Sequence, residues 1–85
     1  MDDLTALQHE PADILLDITS EVCPMTYVRT RLALDRMLPG QVLEVRLCGA
    51  EPAVNVPRSA RQQGHTVLGM AEMPDGISVL RLRRR

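Results

Sequence analysis

Ile14-Leu15-Leu16-Asp17-Ile18-Thr19-Ser20-Glu21-Val22-Cys23-Pro24 is the stretch that decides the fold. Its first five residues form a near-continuous apolar run, which suits a short strand with limited exposure. Thr19 to Val22 then read as a connecting loop. Pro24 fits the first position of a helix, where its missing N–H would have had no partner. Cys23 therefore stands where a strand hands over to a helix. The unpaired backbone N–H groups of a helix N-terminus carry partial positive charge and favour a thiolate over a thiol. The thiolate is the reactive form, and its pKa can fall below the free value of about 8.5.

Downstream, a helix is predicted from Pro24 to Leu38, stopping before the breaker pair Pro39-Gly40. Tyr27, Thr30, Leu34, Met37 and Leu38 form its buried stripe. Met25, Val28 and Leu32 fall on another arc, beside Arg29 and Arg36. Gln41 to Cys48 alternate, with Leu43, Val45 and Leu47 pointing one way and Glu44 and Arg46 the other, as in a half-buried strand. Strand, helix, strand in so short a span implies a parallel βαβ unit. A second helix is predicted over 53–63, bent or restarted near Pro57 and ended by Gly64. Strands over 65–73 and 77–83 follow, joined by the turn Met73-Pro74-Asp75-Gly76. The order is βαβαββ. A mixed four-stranded sheet with both helices on one face is its simplest packing. Residues 1–12 read as a loose N-terminal extension and 13–85 as one domain.

The chain has 85 residues, 45% hydrophobic and 25% charged, with a net charge of −1. One Tyr and no Phe or Trp leave little for stacking on bases, and no long-range field draws the chain to nucleic acid. All ten basic residues are Arg, which excludes a lysine Schiff base. Two cysteines, Cys23 and Cys48, are too few for a secreted disulfide scaffold. No segment has the length of a membrane span, and Met1-Asp2-Asp3 is unlike a signal peptide, so the reducing cytoplasm is the expected compartment.

Cys23-Pro24 before a helix, Pro39-Gly40 before an apolar strand, Glu51-Pro52 ahead of a second helix, Val56-Pro57 within it and Gly64-His65 after it together resemble the TusA/SirA-like sulfur-carrier (sulfurtransferase) family. The resemblance runs from Ile14 to Arg83. It implies a two-layer α/β sandwich, matching the element order above. It also implies that Cys23 takes a sulfane sulfur from a donor protein, a cysteine desulfurase or a rhodanese-like protein, and holds it as a persulfide. An acceptor protein would then receive it, in tRNA thiolation, molybdenum-cofactor or sulfur-oxidation routes. No cofactor is implied. The family's signature is Cys-Pro-x-Pro, whereas this chain reads Cys23-Pro24-Met25-Thr26, so Thr26 stands in place of the second proline. Pro24 and Thr26 would shape the site.

If the Met25, Val28, Leu32 row faces outward, it forms with Arg29 and Arg36 a docking patch for sulfur donor or acceptor. Glu51 and Pro52 read as turn and helix-start residues on the rim of the site. Cys48 ends the second strand at the sheet edge that Cys23 also follows. That leaves open a thiol redox partner using both cysteines, although no CxxC spacing is present. A non-catalytic interaction or regulatory module with the same fold is the other alternative. His9 and His65 have no zinc-site spacing to the cysteines, so no metal is expected. Arg81-Leu82-Arg83-Arg84-Arg85 reads as a basic, solvated end.

Overall fold

The computed structural model describes residues 12–22 and 25–85. The elements are β1 (Ile14–Asp17), α1 (Met25–Asp35), β2 (Val42–Cys48), α2 (Ala50–Gln62), β3 (Thr66–Glu72) and β4 (Ile77–Arg83). They form one four-stranded sheet in the order β1-β2-β4-β3. β1 runs parallel to β2, with Ile14 opposite Leu43 and Asp17 opposite Arg46. β4 is antiparallel to both its neighbours, β2 and β3. The predicted mixed sheet and βαβαββ order are therefore present.

The alternation of β2 explains how the two layers meet. Leu43, Val45 and Leu47 are fully buried and share a core with Leu80 and Leu82 of β4, Leu34 of α1, Met37 just beyond it, and Val56 and Ala60 of α2. The opposite face of β2 departs from the simple half-buried reading. Glu44 is only 8% exposed. Its cross-strand neighbour is Arg81, whose Nε and Nη2 lie 3.1 and 2.9 Å from Glu44 Oε1. Arg46 Nε approaches the other carboxylate oxygen at 3.8 Å. The long arginine stems cover the strand, and their guanidinium groups match the charge they bury. Arg81 and Arg83 are strand residues of β4, so the basic run is not wholly the solvated end that its composition suggests.

In α1 the buried positions are Thr26, Thr30 and Leu34, continued by Met37, and Tyr27 is half-buried. The Tyr27 hydroxyl donates to the Ser59 carbonyl at 3.4 Å, which joins α1 to α2. The burial that raises the Tyr27 phenol above its ordinary value is the same packing. Leu38, expected on the buried stripe, is exposed, because α1 ends at Asp35 and the spacing no longer applies beyond it. α2 begins at Ala50, three residues earlier than its sequence suggests, and runs unbroken through Pro57. Pro52 lies in the first turn, where helical N–H groups have no intrahelical partner. Pro57 removes one bond to Ala53, but Val56, Pro57 and Ala60 are all buried, and that packing outweighs the lost bond. Strand β3 is shorter by one residue at each end than the predicted 65–73.

The C-terminal residues clasp the far end of the sandwich. Arg84 Nε donates to the Leu34 carbonyl at 2.9 Å, and the Arg85 N–H donates to His65 Nδ1 at 3.2 Å. Burial, with Arg84 and Arg85 nearby, holds the His65 pKa below its ordinary 6.5. Nδ1 accepts only while it is unprotonated. The folded state thus binds its proton less readily than the unfolded chain. This contribution is complete above about pH 6.5 and is lost as pH falls from there through the depressed folded value. Urea midpoints at about pH 7.5 and about pH 5.5 are expected to differ less in His65→Gln than in the parent chain.

Candidate functional site

The loop between β1 and α1 is tied down at both ends. Thr19 donates to Asp17 Oδ1 through its N–H at 3.0 Å and its hydroxyl at 2.7 Å. These bonds, the backbone one first, hold the Asp17 carboxyl below its ordinary 3.8. The Glu21 N–H donates to the Ile18 carbonyl at 3.1 Å, and the Met25 N–H to the Val22 carbonyl at 2.8 Å. Glu21 also pairs with Arg29 Nη1 at 3.2 Å, joining the loop to the second turn of α1. Cys23 and Pro24 lie outside the described residues, as do residues 1–11 with His9. What can be placed is their setting in the sequence, directly before a helix that starts at Met25 and has no acidic residue in its first turn.

Met25, Val28 and Leu32 are exposed at 40, 39 and 49%, and Val22 just before Cys23 is more exposed still. The row therefore faces away from the core, flanked by the exposed Arg29 and Arg36. Thr26 lies on the opposite, packed face, 2% exposed, and its carbonyl accepts the Thr30 hydroxyl at 2.8 Å. The threonine that the sequence sets two residues after Pro24 is thus a buried residue of the first helical turn. Glu51 and Pro52 belong to the first turn of α2, with Glu51 exposed and Pro52 half-buried. Cys48 is exposed at the end of β2, two residues past the Arg46 that pairs with Asp17, so it shares the sheet edge from which the β1–α1 loop departs. Among the described residues, no three His, Cys, Asp or Glu side chains gather as a metal site. No helix there is long and apolar enough to cross a membrane.

Sequence reading did not find the Glu21–Arg29 pair. The two residues are eight positions apart, across a loop and a helix start, and no helical or strand period connects them.

Fold and sequence together define a small two-layer α/β domain with a cysteine at its first strand-to-helix junction. The chain belongs to the TusA sulfurtransferase family, whose model matches residues 14–84. It is 46% identical over 63 residues to a "Putative sulfur carrier protein" of Archaeoglobus fulgidus, covering 73% of this chain and 70% of that one. A "Putative sulfur carrier protein YedF" of Escherichia coli K12 is 35% identical over 67 residues, 79% of this chain and 84% of its own. The crystal structure of a SirA-like protein from Desulfitobacterium hafniense superposes with a TM-score of 0.73, covering 82% of this chain and 95% of that one. At 22% identity, this last likeness speaks for the fold.

Proposed function

We propose that this chain is a sulfur-relay protein in which Cys23 carries a sulfane sulfur between two partner proteins. The observation that carries the reading is the place of Cys23 in a TusA-family chain, directly before a helix whose first turn holds no acidic residue. The Cys23 thiolate attacks the terminal sulfur of the donor's persulfide. The donor S–S bond breaks, a new S–S bond forms on Cys23, and the donor leaves as its thiolate. No net oxidation occurs, so neither a metal nor an organic cofactor is required. Passage to the acceptor is the same exchange in reverse. A helix N-terminus stabilises a nearby anion by about 0.3–1 kcal/mol, up to about 2 when partly buried, which corresponds to a pKa drop of roughly one unit. Pro24 and Thr26 shape this site, and Glu51 and Pro52 stand on its rim. The relay unit is the single domain 13–85.

The exposed Met25, Val28 and Leu32 row, with Arg29 and Arg36, is the docking patch for a cysteine desulfurase or rhodanese-like donor and for the acceptor. Two thiols in a chain of this kind suit the reducing cytoplasm, with no direct contact to membrane or nucleic acid. Val28→Glu puts a charge into the patch without touching the core. Transfer from a donor persulfide is expected to slow by at least about tenfold, while the thermal midpoint stays within about 2 °C. Unfolding on this substitution would place Val28 in the core instead.

A further inference from the structure

Charge is sorted to opposite ends of the sandwich. β1, β2 and β3 all run toward the end that holds the β1–α1 loop. That end carries Asp17, Glu21, Glu51, Glu72 and Asp75. Arginines on that side are matched by carboxylates, Arg29 by Glu21 and Arg46 by Glu44. The opposite end, where both helices and β4 finish, is basic. Arg36 follows the last residue of α1, Arg61 lies in the last turn of α2, and Arg85 lies just past β4. Contacts hold these three segments together. Arg84 Nε reaches the Leu34 carbonyl, two residues before Arg36. The Arg61 carbonyl accepts the Gly64 N–H at 3.0 Å. The Arg85 side chain lies over Gly64, where a β-carbon would stand 3.1 Å from its Cδ. Arg36, Arg61 and Arg85 are exposed. Among the described residues, no carboxylate lies within ion-pair distance of any of their guanidinium groups. A neighbouring side chain feels the positive field, since Arg84 and Arg85, after burial, hold the His65 pKa down.

One unmatched arginine is ordinary on a surface, but three on separate elements make a patch of one sign. Each planar guanidinium fork matches a carboxylate through two parallel hydrogen bonds. A partner that brings several carboxylates at once therefore suits this end. A polynucleotide fits less well. Its phosphates are evenly spaced and would also meet Asp13, which bonds to the start of β2, and Asp35, the last residue of α1. The chain's net charge of −1 gives it no long-range pull. We propose that this end of the domain docks an acidic segment of a partner protein, its carboxylates resting on Arg36, Arg61 and Arg85. A partner held there stands away from the β1–α1 loop and leaves that end open for exchange. This surface owes nothing to the chemistry of Cys23.

The test is an amide chemical-shift titration of the full chain with a hexaglutamate peptide, beside arms with hexalysine and with the ribonucleotide hexauridylate. Saturable shifts centred on Arg36, Arg61, Gly64 and Arg85 are expected with hexaglutamate, and binding should weaken as salt is raised. Hexalysine should not shift these amides. Arg36→Gln, Arg61→Gln and Arg85→Gln are each expected to weaken binding about two- to fivefold, and together by at least about tenfold. Their side chains are exposed and unmatched, so each variant should keep the fold. Arg58→Gln is the control, because Arg58 bonds to Asn55 along α2, and it should bind as the parent does. Absence of saturable shifts at the basic end overturns the proposal. So does an equal loss in Arg58→Gln and Arg36→Gln, which would mean attraction to charge at large. Hexauridylate binding as tightly as hexaglutamate overturns it too, by giving this end to nucleic acid. The same titration of Cys23→Ser should be unchanged, which separates this surface from the relay.

Discussion

Cys23→Ser is expected to take up no sulfur. Incubated with a cysteine desulfurase and cysteine, the parent chain should gain the mass of one sulfur atom, removable by a thiol reductant. The serine variant should keep its starting mass while giving an unchanged circular dichroism spectrum. The expectation follows from the exchange chemistry. A hydroxyl at ordinary pH is not an anion and cannot displace a thiolate from a persulfide, so the loss is total and not a fractional slowing. Cys48→Ser serves as the companion. Cys48 is exposed at the end of β2, and its variant is expected to gain the sulfur as the parent does. Retention of the added sulfur in Cys23→Ser, with its loss in Cys48→Ser, would move the carrier to Cys48. A loss of two hydrogens joining Cys23 to Cys48, in place of a sulfur gain, would make the chain a thiol redox partner. No change with any donor would make it an interaction module.

The largest expected effect on stability is that of Leu43→Ala. Leu43 is fully buried in the middle of the sheet, between Ile14 on one side and Leu82 on the other. Removing three carbons there forfeits their transfer from water and leaves a cavity between the sheet and the helices that the packed core closes only in part. Such changes cost about 2–5 kcal/mol. A domain of 85 residues has only about 4–13 kcal/mol in total. A loss near 3 kcal/mol should lower the thermal midpoint by roughly 12–24 °C. Calorimetry or a urea titration measures it directly. A loss below about 1 kcal/mol would mean that the inward face of β2 is not the centre of the core.

The elements easiest to read were those whose side chains alternate or recur with one clear period. Leu43, Val45 and Leu47 announced β2 and its inward face, and the β3–β4 turn announced itself through Pro74, Asp75 and Gly76. The exposed row on α1 was legible as a second arc, because Met25, Val28 and Leu32 cannot share a face with Leu34 and Met37. Reading failed where a distant residue decides the outcome. Glu44 is charged and sits on the outward side of its strand, and it is Arg81, 37 residues away, whose guanidinium pairs with it at hydrogen-bond distance. The early start of α2 was hidden because Glu51-Pro52 resembles a turn, although a proline is tolerated in a first helical turn. Leu38 matched the helical period, but the helix had already ended. The site was legible only as a position, the cysteine between strand and helix.

The placement of β4 has a consequence for biosynthesis. The fourth strand of the sheet lies between β2 and β3, and Leu80 and Leu82 on it complete the core. A nascent chain that has emerged only as far as Glu72 holds two strands whose hydrogen-bonding partner is not yet free to join them. It must wait, with its apolar surfaces uncovered, until Arg83 clears the ribosome. Folding of this domain is therefore expected to wait for β4, and a chain truncated before Ile77 should be degraded by proteases at once.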